Sequence, residues 1–201
     1  MALSGVRHVP KYFDSQGQAQ ILAATRAVIG RAPLYTPRMP ISGKPFSVRM
    51  TNAGPLGWVS DETGYRYQPT HPVTHQPWPP IPEILLKLWR ELAAYPADPE
   101  ACLINYYAAG TKMGSHRDAD EEDTSAPVLS VSLGDDATFH VGGLRRSDAR
   151  ERLTLRSGDV VVLGGEARRA YHGIDRVQAC SSDLLAEGGR LSLTLRRVTL
   201  P

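Results

Sequence analysis

Cysteine is scarce: Cys102 and Cys180 are the only two in 201 residues. Two thiols cannot build the framework of a disulfide-stapled secreted domain, so a reducing compartment fits. No stretch approaches the roughly 18 to 20 consecutive apolar residues of a membrane span. The opening MALSGVRHVPKYF holds no apolar run of the secretory kind, and a cytoplasmic protein with no membrane partner is expected. Charge of one sign is also missing. Lys plus Arg number 23 against 21 Asp plus Glu, a net charge of +2, and so small an excess does not by itself announce a nucleic-acid binder. Internal repeats and low-complexity tracts are absent, and nothing argues for an oligomer. No Ser-His-Asp or Cys-His pattern stands out, so nucleophilic catalysis is not indicated.

Apolar residues make up 41% and charged residues 22%, ordinary for a globular protein. A chain of this length buries one sizeable core, and one domain over 1–201 is expected. Asp14 and Ser15 are placed to cap a helix over about 16–29, with Ile21, Leu22 and Val28 as its apolar contacts and Gly30 as its end. Residues 32–52 are rich in Pro and Gly, with short extended pieces such as 46–50. Trp58, Tyr65 and Tyr67 lie in a Gly-rich stretch with neither helical nor strand periodicity. Pro69, Pro72, Pro77, Pro79, Pro80 and Pro82 make the next segment a surface loop, with His71 and His75 solvated. Pro82 suits a first helical residue, and Ile84, Leu85, Leu88 and Leu92 follow at helical spacing. Beyond Pro99 come short candidate strands at 101–107, 128–133, 138–141, 153–155, 160–163 and 191–198. Gly-rich turns punctuate them. Regularly spaced short strands point to a sandwich or jelly roll, with two helices backing one sheet.

The chemistry concentrates in His116-Arg117-Asp118. On an extended segment, residues two apart share a face, so His116 and Asp118 can reach one metal. His172 follows a strand and completes two imidazoles and one carboxylate, the facial set that holds ferrous iron and leaves coordination positions open. His-x-Asp alone carries little weight. The distal histidine, the strand-rich setting and two late arginines give it meaning. Arg190, Ser192, Thr194 and Arg196 share one face of a strand whose other face is Leu191, Leu193 and Leu195. Two guanidiniums there offer charge-assisted grips for a dicarboxylate. His140, on a candidate strand, reads as an ordinary core or surface imidazole.

These residues resemble a known family. Asn105-Tyr106-Tyr107, Gly110, Met113, His116-Arg117-Asp118, Val131-Ser132-Leu133-Gly134, Gly142-Gly143-Leu144, Gly158-Asp159-Val160-Val161, Gly164-Gly165-Glu166 and Arg190 to Arg196 appear in the order of the AlkB dioxygenases. Gly57-Trp58 and Gly64-Tyr65-Arg66-Tyr67 extend the likeness over nearly the whole chain. Those are iron(II)- and 2-oxoglutarate-dependent enzymes that remove alkyl groups from nucleobases. The resemblance implies a mostly β fold with flanking helices: a double-stranded β-helix, or jelly roll, with an N-terminal nucleotide-recognition lid. Residues of about 45–95 would form much of that lid and a supporting helix. It implies Fe(2+) on His116, Asp118 and His172, 2-oxoglutarate held by Arg190 at its distal and Arg196 at its proximal carboxylate, O2 as the second cosubstrate, and Asn105, Tyr107 and Ser192 at cosubstrate-binding positions. One departure stands out. Ser192 occupies the place of an asparagine in the family's late motif, and a hydroxyl reaches less far.

On the substrate side the resemblance implies Trp58 as a stacking surface for a flipped base, with Tyr65, Arg66, Tyr67 and Arg152 also at substrate-binding positions. Arg145, Arg146 and Arg150 are further basic neighbours. The run 118–123 carries five carboxylates, a pattern that usually means a solvated loop. Within it Asp120 matches the residue that contacts the damaged base. Bases methylated at N1 of adenine or N3 of cytosine are cationic, so a carboxylate beside them favours the lesion. The implied activity is oxidative demethylation of 1-methyladenine and 3-methylcytosine in single-stranded DNA, and in RNA, with release of formaldehyde. This would be direct DNA repair. Two competing readings are hydroxylation of a small molecule or protein side chain on the same fold, and a non-catalytic nucleic-acid-binding module. Binding to methylated oligonucleotide discriminates the first, and failure to bind iron would favour the second.

Overall fold

Asp14 starts the first helix, its Oδ1 accepting the Gly17 N–H at 2.8 Å. The helix, α1 (Ser15–Arg31), runs through Gly30 rather than ending there. The stop is Pro33, which pushes the residue before it out of the helical region; Ala32 accordingly sits at φ −127° and ψ 89°. The structure, a computed structural model, describes residues 4–201. No helix among the described residues is long and apolar enough to cross a membrane.

The remaining elements follow in chain order. Strand β1 (Val6–Val9) precedes α1; after it come β2 (Arg49–Ala53), β3 (Gly57–Asp61), β4 (Gly64–Gln68), α2 (Glu83–Leu92), β5 (Ala101–Tyr107), β6 (Met113–His116), β7 (Val128–Gly134), β8 (Ala137–Val141), β9 (Glu151–Leu155), β10 (Val160–Leu163), a 3-10 turn (Gly165–Arg169), β11 (His172–Val177) and β12 (Arg190–Arg196). A six-stranded sheet has the order β1-β10-β7-β12-β5-β2, and a four-stranded sheet the order β6-β11-β8-β9. Every pairing within them is antiparallel. This is the mostly β, jelly-roll arrangement expected of the sequence.

Strand β12 decides the layering. It lies between β5 and β7, with Leu193 opposite Ile104 and Val131. Successive side chains alternate faces. Leu191, Leu193 and Leu195 therefore join Cys102, Ile104, Leu129, Val131 and Leu133 in a core shared with Ile21, Leu22 and Val28 of α1 and Leu85, Leu88 and Trp89 of α2. Both helices back the large sheet. Between the two sheets lies a second cluster with Leu103, Val128, Phe139, Val141, Leu155, Val161, Leu163 and Ile174. A slip of one residue in β12 would drive Arg190 and Arg196 into the helix-backed core, which fixes the register strongly.

Several expectations need correction. Residues 57–68 are an antiparallel hairpin, Trp58 opposite Tyr67 and Ser60 opposite Tyr65. Its turn is made by Asp61, whose Oδ1 accepts from the Thr63 N–H, and by Gly64 at φ 117°. The alternation Tyr65-Arg66-Tyr67 was a strand signal that the flanking glycines obscured. Pro82 caps α2 from outside rather than occupying its first turn. His71 is buried, not solvated; its Nδ1 accepts from the Val73 and Thr74 N–H groups and its Nε2 donates to Pro33 O. Strands β1, β6 and β11 escaped notice because VRHV, MGSH and HGIDRV lack an apolar alternation long enough to read.

Candidate metal centre and active site

His116 ends β6, His172 begins β11, and the register sets them directly opposite each other. Asp118 leaves β6 two residues later. One ligand atom from each lies within 4.8 Å of the others. His116 Nδ1 lies 3.0 Å from Gly114 O, and His172 Nδ1 lies 3.0 Å from Ala170 O. A carbonyl only accepts, so each Nδ1 carries the proton and each Nε2 presents a lone pair to the cavity, the orientation a metal-binding imidazole needs. Burial pushes His172 down to about 4, partly offset by Asp118, so it is neutral and ready to ligate at neutral pH. Burial alone would raise the Asp118 carboxyl, but Arg196, then His172 and His116, hold it below the ordinary range.

The donor set fits iron on a further count. Asp118 Oδ2 is buried without a hydrogen-bond partner, while Oδ1 accepts from Arg196 Nη2 at 3.0 Å. A carboxylate oxygen left bare beside two imidazole lone pairs is costly unless a cation completes it.

The cosubstrate end is equally exposed in its needs. Arg190 is 1% exposed, yet its Nε and Nη1 have no hydrogen-bond partner, nor do Arg196 Nε and Nη1 or Asn105 Oδ1. Arg190 Nη2 donates to Ser132 Oγ at 2.8 Å and reaches Ser192 Oγ at 3.4 Å. Ser192 Oγ also meets Ser130 Oγ at 3.0 Å. The Arg190 guanidinium sits 5.2 Å from the Tyr107 ring centroid. Burial lowers the Arg190 pKa, which an anion alongside would reverse. Asn105, Tyr107, Arg190, Ser192 and Arg196 all line the cavity that also contains His116, Asp118 and His172. A buried pair of guanidiniums with unused N–H groups matches a dicarboxylate.

The hairpin is bonded to the segment just after Asp118. Asn52 grips Trp58 at both backbone groups, Nδ2 donating to Trp58 O at 3.0 Å and Oδ1 accepting from Trp58 N at 3.1 Å. Trp58 stacks on Tyr65 with centroids 5.4 Å apart and planes 19° from parallel, and Phe46 meets its edge. Trp58 Nε1 donates to Asp120 Oδ2 at 2.7 Å. Tyr67 is turned inward, its hydroxyl donating to Glu121. Arg66 braces the hairpin turn through Asp61 and Gln68.

Not every candidate converges. Arg152 pairs with Asp175 at 2.8 Å, beside His140, which also bonds Asp175. In register Arg152 faces His140, while its neighbour Leu153 faces the cavity-lining Phe139. Arg152 thus points from the opposite side of the small sheet. Arg117 and Arg146 flank the Tyr171 ring. The acidic run is also not a solvated loop. Asp118 and Glu121 bind guanidiniums, and Asp123 accepts from Tyr95 and Ser125. Composition missed Arg168, fully buried in the 3-10 turn. It donates to Ala126 O, Asp118 O and Glu121 Oε2 at 2.8, 3.0 and 3.0 Å. Asn52 and Glu121 were missed as well, since nothing local distinguishes them.

Fold and site together define a jelly-roll oxygenase with an open two-histidine, one-carboxylate centre and a cationic cosubstrate pocket. The 2OG-Fe(II) oxygenase superfamily matches residues 5–196. The chain is 48% identical over 188 residues, 94% of its length and 85% of the relative's, to an alpha-ketoglutarate-dependent dioxygenase AlkB homolog of Caulobacter vibrioides. It is 43% identical to alpha-ketoglutarate-dependent dioxygenase AlkB of Escherichia coli, over 92% of this chain and 87% of that one. The solved structure of OsALKBH1 superposes with a TM-score of 0.80 at 30% identity, over 98% of both chains. This chain belongs to the 2OG-Fe(II) oxygenase superfamily and, within it, to the AlkB family. Its cofactors are Fe(2+) and 2-oxoglutarate, with O2 as the second cosubstrate.

Proposed function

We propose that this dioxygenase removes methyl groups from alkylated nucleobases, 1-methyladenine and 3-methylcytosine, in single-stranded DNA and in RNA. The observation that carries this reading is the hairpin's aromatic pair, Trp58 on Tyr65, bonded to a carboxylate, Asp120, two residues from a metal ligand. An aromatic face receives any flipped base, and a carboxylate beside it favours a cationic one.

In this reading His116, Asp118 and His172 hold the iron. Arg190 and Arg196 grip the cosubstrate carboxylates, with Asn105, Tyr107 and Ser192 lining its bed. Bound iron, 2-oxoglutarate and O2 supply the oxidising power, the cosubstrate leaving as succinate and carbon dioxide. The protein residues orient the base, exclude water and keep the centre open. The hydroxylated methyl carbon leaves as formaldehyde and the base returns to its neutral form. The same reading makes the protein a cytoplasmic, monomeric repair enzyme.

The test is incubation with iron(II), ascorbate, 2-oxoglutarate and a single-stranded oligonucleotide bearing one 1-methyladenine, followed by mass spectrometry. Loss of one methyl group that requires 2-oxoglutarate is the expected result. Turnover of 2-oxoglutarate without methyl loss would move the enzyme to small-molecule or protein substrates.

A further inference from the structure

Glu121 lies in the acidic run yet is only 7% exposed, and it touches three separate parts of the molecule. Its Oε2 accepts from Arg168 Nη2 at 3.0 Å. Its Oε1 accepts from the Tyr67 hydroxyl of β4 and lies 3.4 Å from Arg196 Nε. Arg196 in turn holds Asp118. One buried carboxylate therefore lies between the hairpin and Arg196, which lines the cavity. Arg168 fixes that carboxylate from behind and clamps the backbone of Asp118 and Ala126. Removing one charged member would leave a buried charge unpaired, which is strongly destabilising.

A chain of charged contacts between two ligand sites, two hydrogen bonds to Glu121 and one looser ion pair to Arg196, has a thermodynamic consequence. If Arg196 shifts to meet a carboxylate, Glu121 and Tyr67 must follow, and the hairpin with them. Whatever one site gains from a shared arrangement the other gains equally, because coupling free energies are reciprocal. We propose that Glu121 is a positioning residue that couples the aromatic hairpin to the cosubstrate arginine through Tyr67, with Arg168 as its fixed backing. This rests on the cosubstrate and substrate sites assigned above. Glu121 does not itself line the cavity; it sets where Arg196 and Tyr67 stand.

The test uses the iron(II)-loaded protein without oxygen. Binding of 2-oxoglutarate is followed by the visible charge-transfer absorption of its iron complex, with and without a 1-methyladenine single-stranded oligonucleotide. In the wild type the oligonucleotide should tighten 2-oxoglutarate binding by about fivefold or more, the lower end of ordinary coupling. In Glu121→Gln and Tyr67→Phe that ratio should fall to within about twofold of unity. A variant that merely loosens the fold weakens binding with and without oligonucleotide alike and leaves the ratio intact. Should Glu121→Gln not fold, Tyr67→Phe, which keeps the ring, still decides. A wild-type ratio near one, or an undiminished ratio in a folded variant, overturns the coupling while leaving the site standing. Absence of the absorption band in the wild type overturns the cosubstrate site itself, and the coupling with it.

Discussion

The indole N–H of Trp58 donates to Oδ2 of Asp120 at 2.7 Å. This single bond ties an aromatic face on the hairpin to the segment carrying Asp118 of the candidate metal centre. Asp120→Ala should lower kcat/KM on 1-methyladenine roughly tenfold, and should reduce turnover of neutral etheno adducts much less. The comparison is made on matched oligonucleotides; equal losses on both would remove the charge argument.

His116→Ala and Asp118→Ala should each abolish formaldehyde release and lower the metal bound per protein, because a facial ligand is gone. The two should differ in one respect. Asp118→Ala also removes the one carboxylate hydrogen-bonded to Arg196, so its loss of 2-oxoglutarate binding should be accompanied by a lower melting temperature. Full activity in either variant would exclude this triad.

Arg190→Ala should raise the 2-oxoglutarate concentration needed for half-maximal turnover. Hydrogen bonds to charged groups contribute about 1.5–3 kcal/mol, which corresponds to roughly 10- to 100-fold. An unchanged requirement would contradict the grip assigned to it.

Stability of the metal-free protein should depend on pH through His172 and His140. Burial lowers both, His172 to about 4, against an ordinary value of 6.5. The unfolded chain then binds more protons than the folded one across that window. Stability therefore falls as pH drops from about 6.5 toward 4. Melting curves over this range should show the decline, and His172→Gln should flatten it. A flat profile in the parent protein would mean these imidazoles are not held neutral.

Arg152→Ala should leave the KM for methylated oligonucleotide within about twofold, since exposed ion pairs of its kind contribute little and its side chain faces away from the cavity. A tenfold rise would return Arg152 to the substrate surface.

The chemistry was legible in the chain because it sits on strands. His116 and Asp118 are two apart, and Arg190, Ser192, Thr194 and Arg196 alternate with leucines. Strand geometry turns such spacing directly into shared faces. The prolines and glycines hid the hairpin instead, and β6 and β11 were too short and polar to show a period. Asp14 could be read as a cap because capping is local. The end of the same helix was misplaced because the proline beyond it outweighed the glycine within it.

By itself, the sequence determined the two-histidine, one-carboxylate set and the alternation that sends leucines to the helices and the guanidiniums of Arg190 and Arg196 to the cavity. These are properties of neighbouring residues, fixed by backbone periodicity. Only the tertiary structure decided that Glu121 and Arg168 are buried partners, that Tyr67 turns inward while Tyr65 stacks on Trp58, and that Arg152 faces outward. Those outcomes depend on contacts between segments far apart in the chain, where packing and the cost of a buried unpaired charge select the partner.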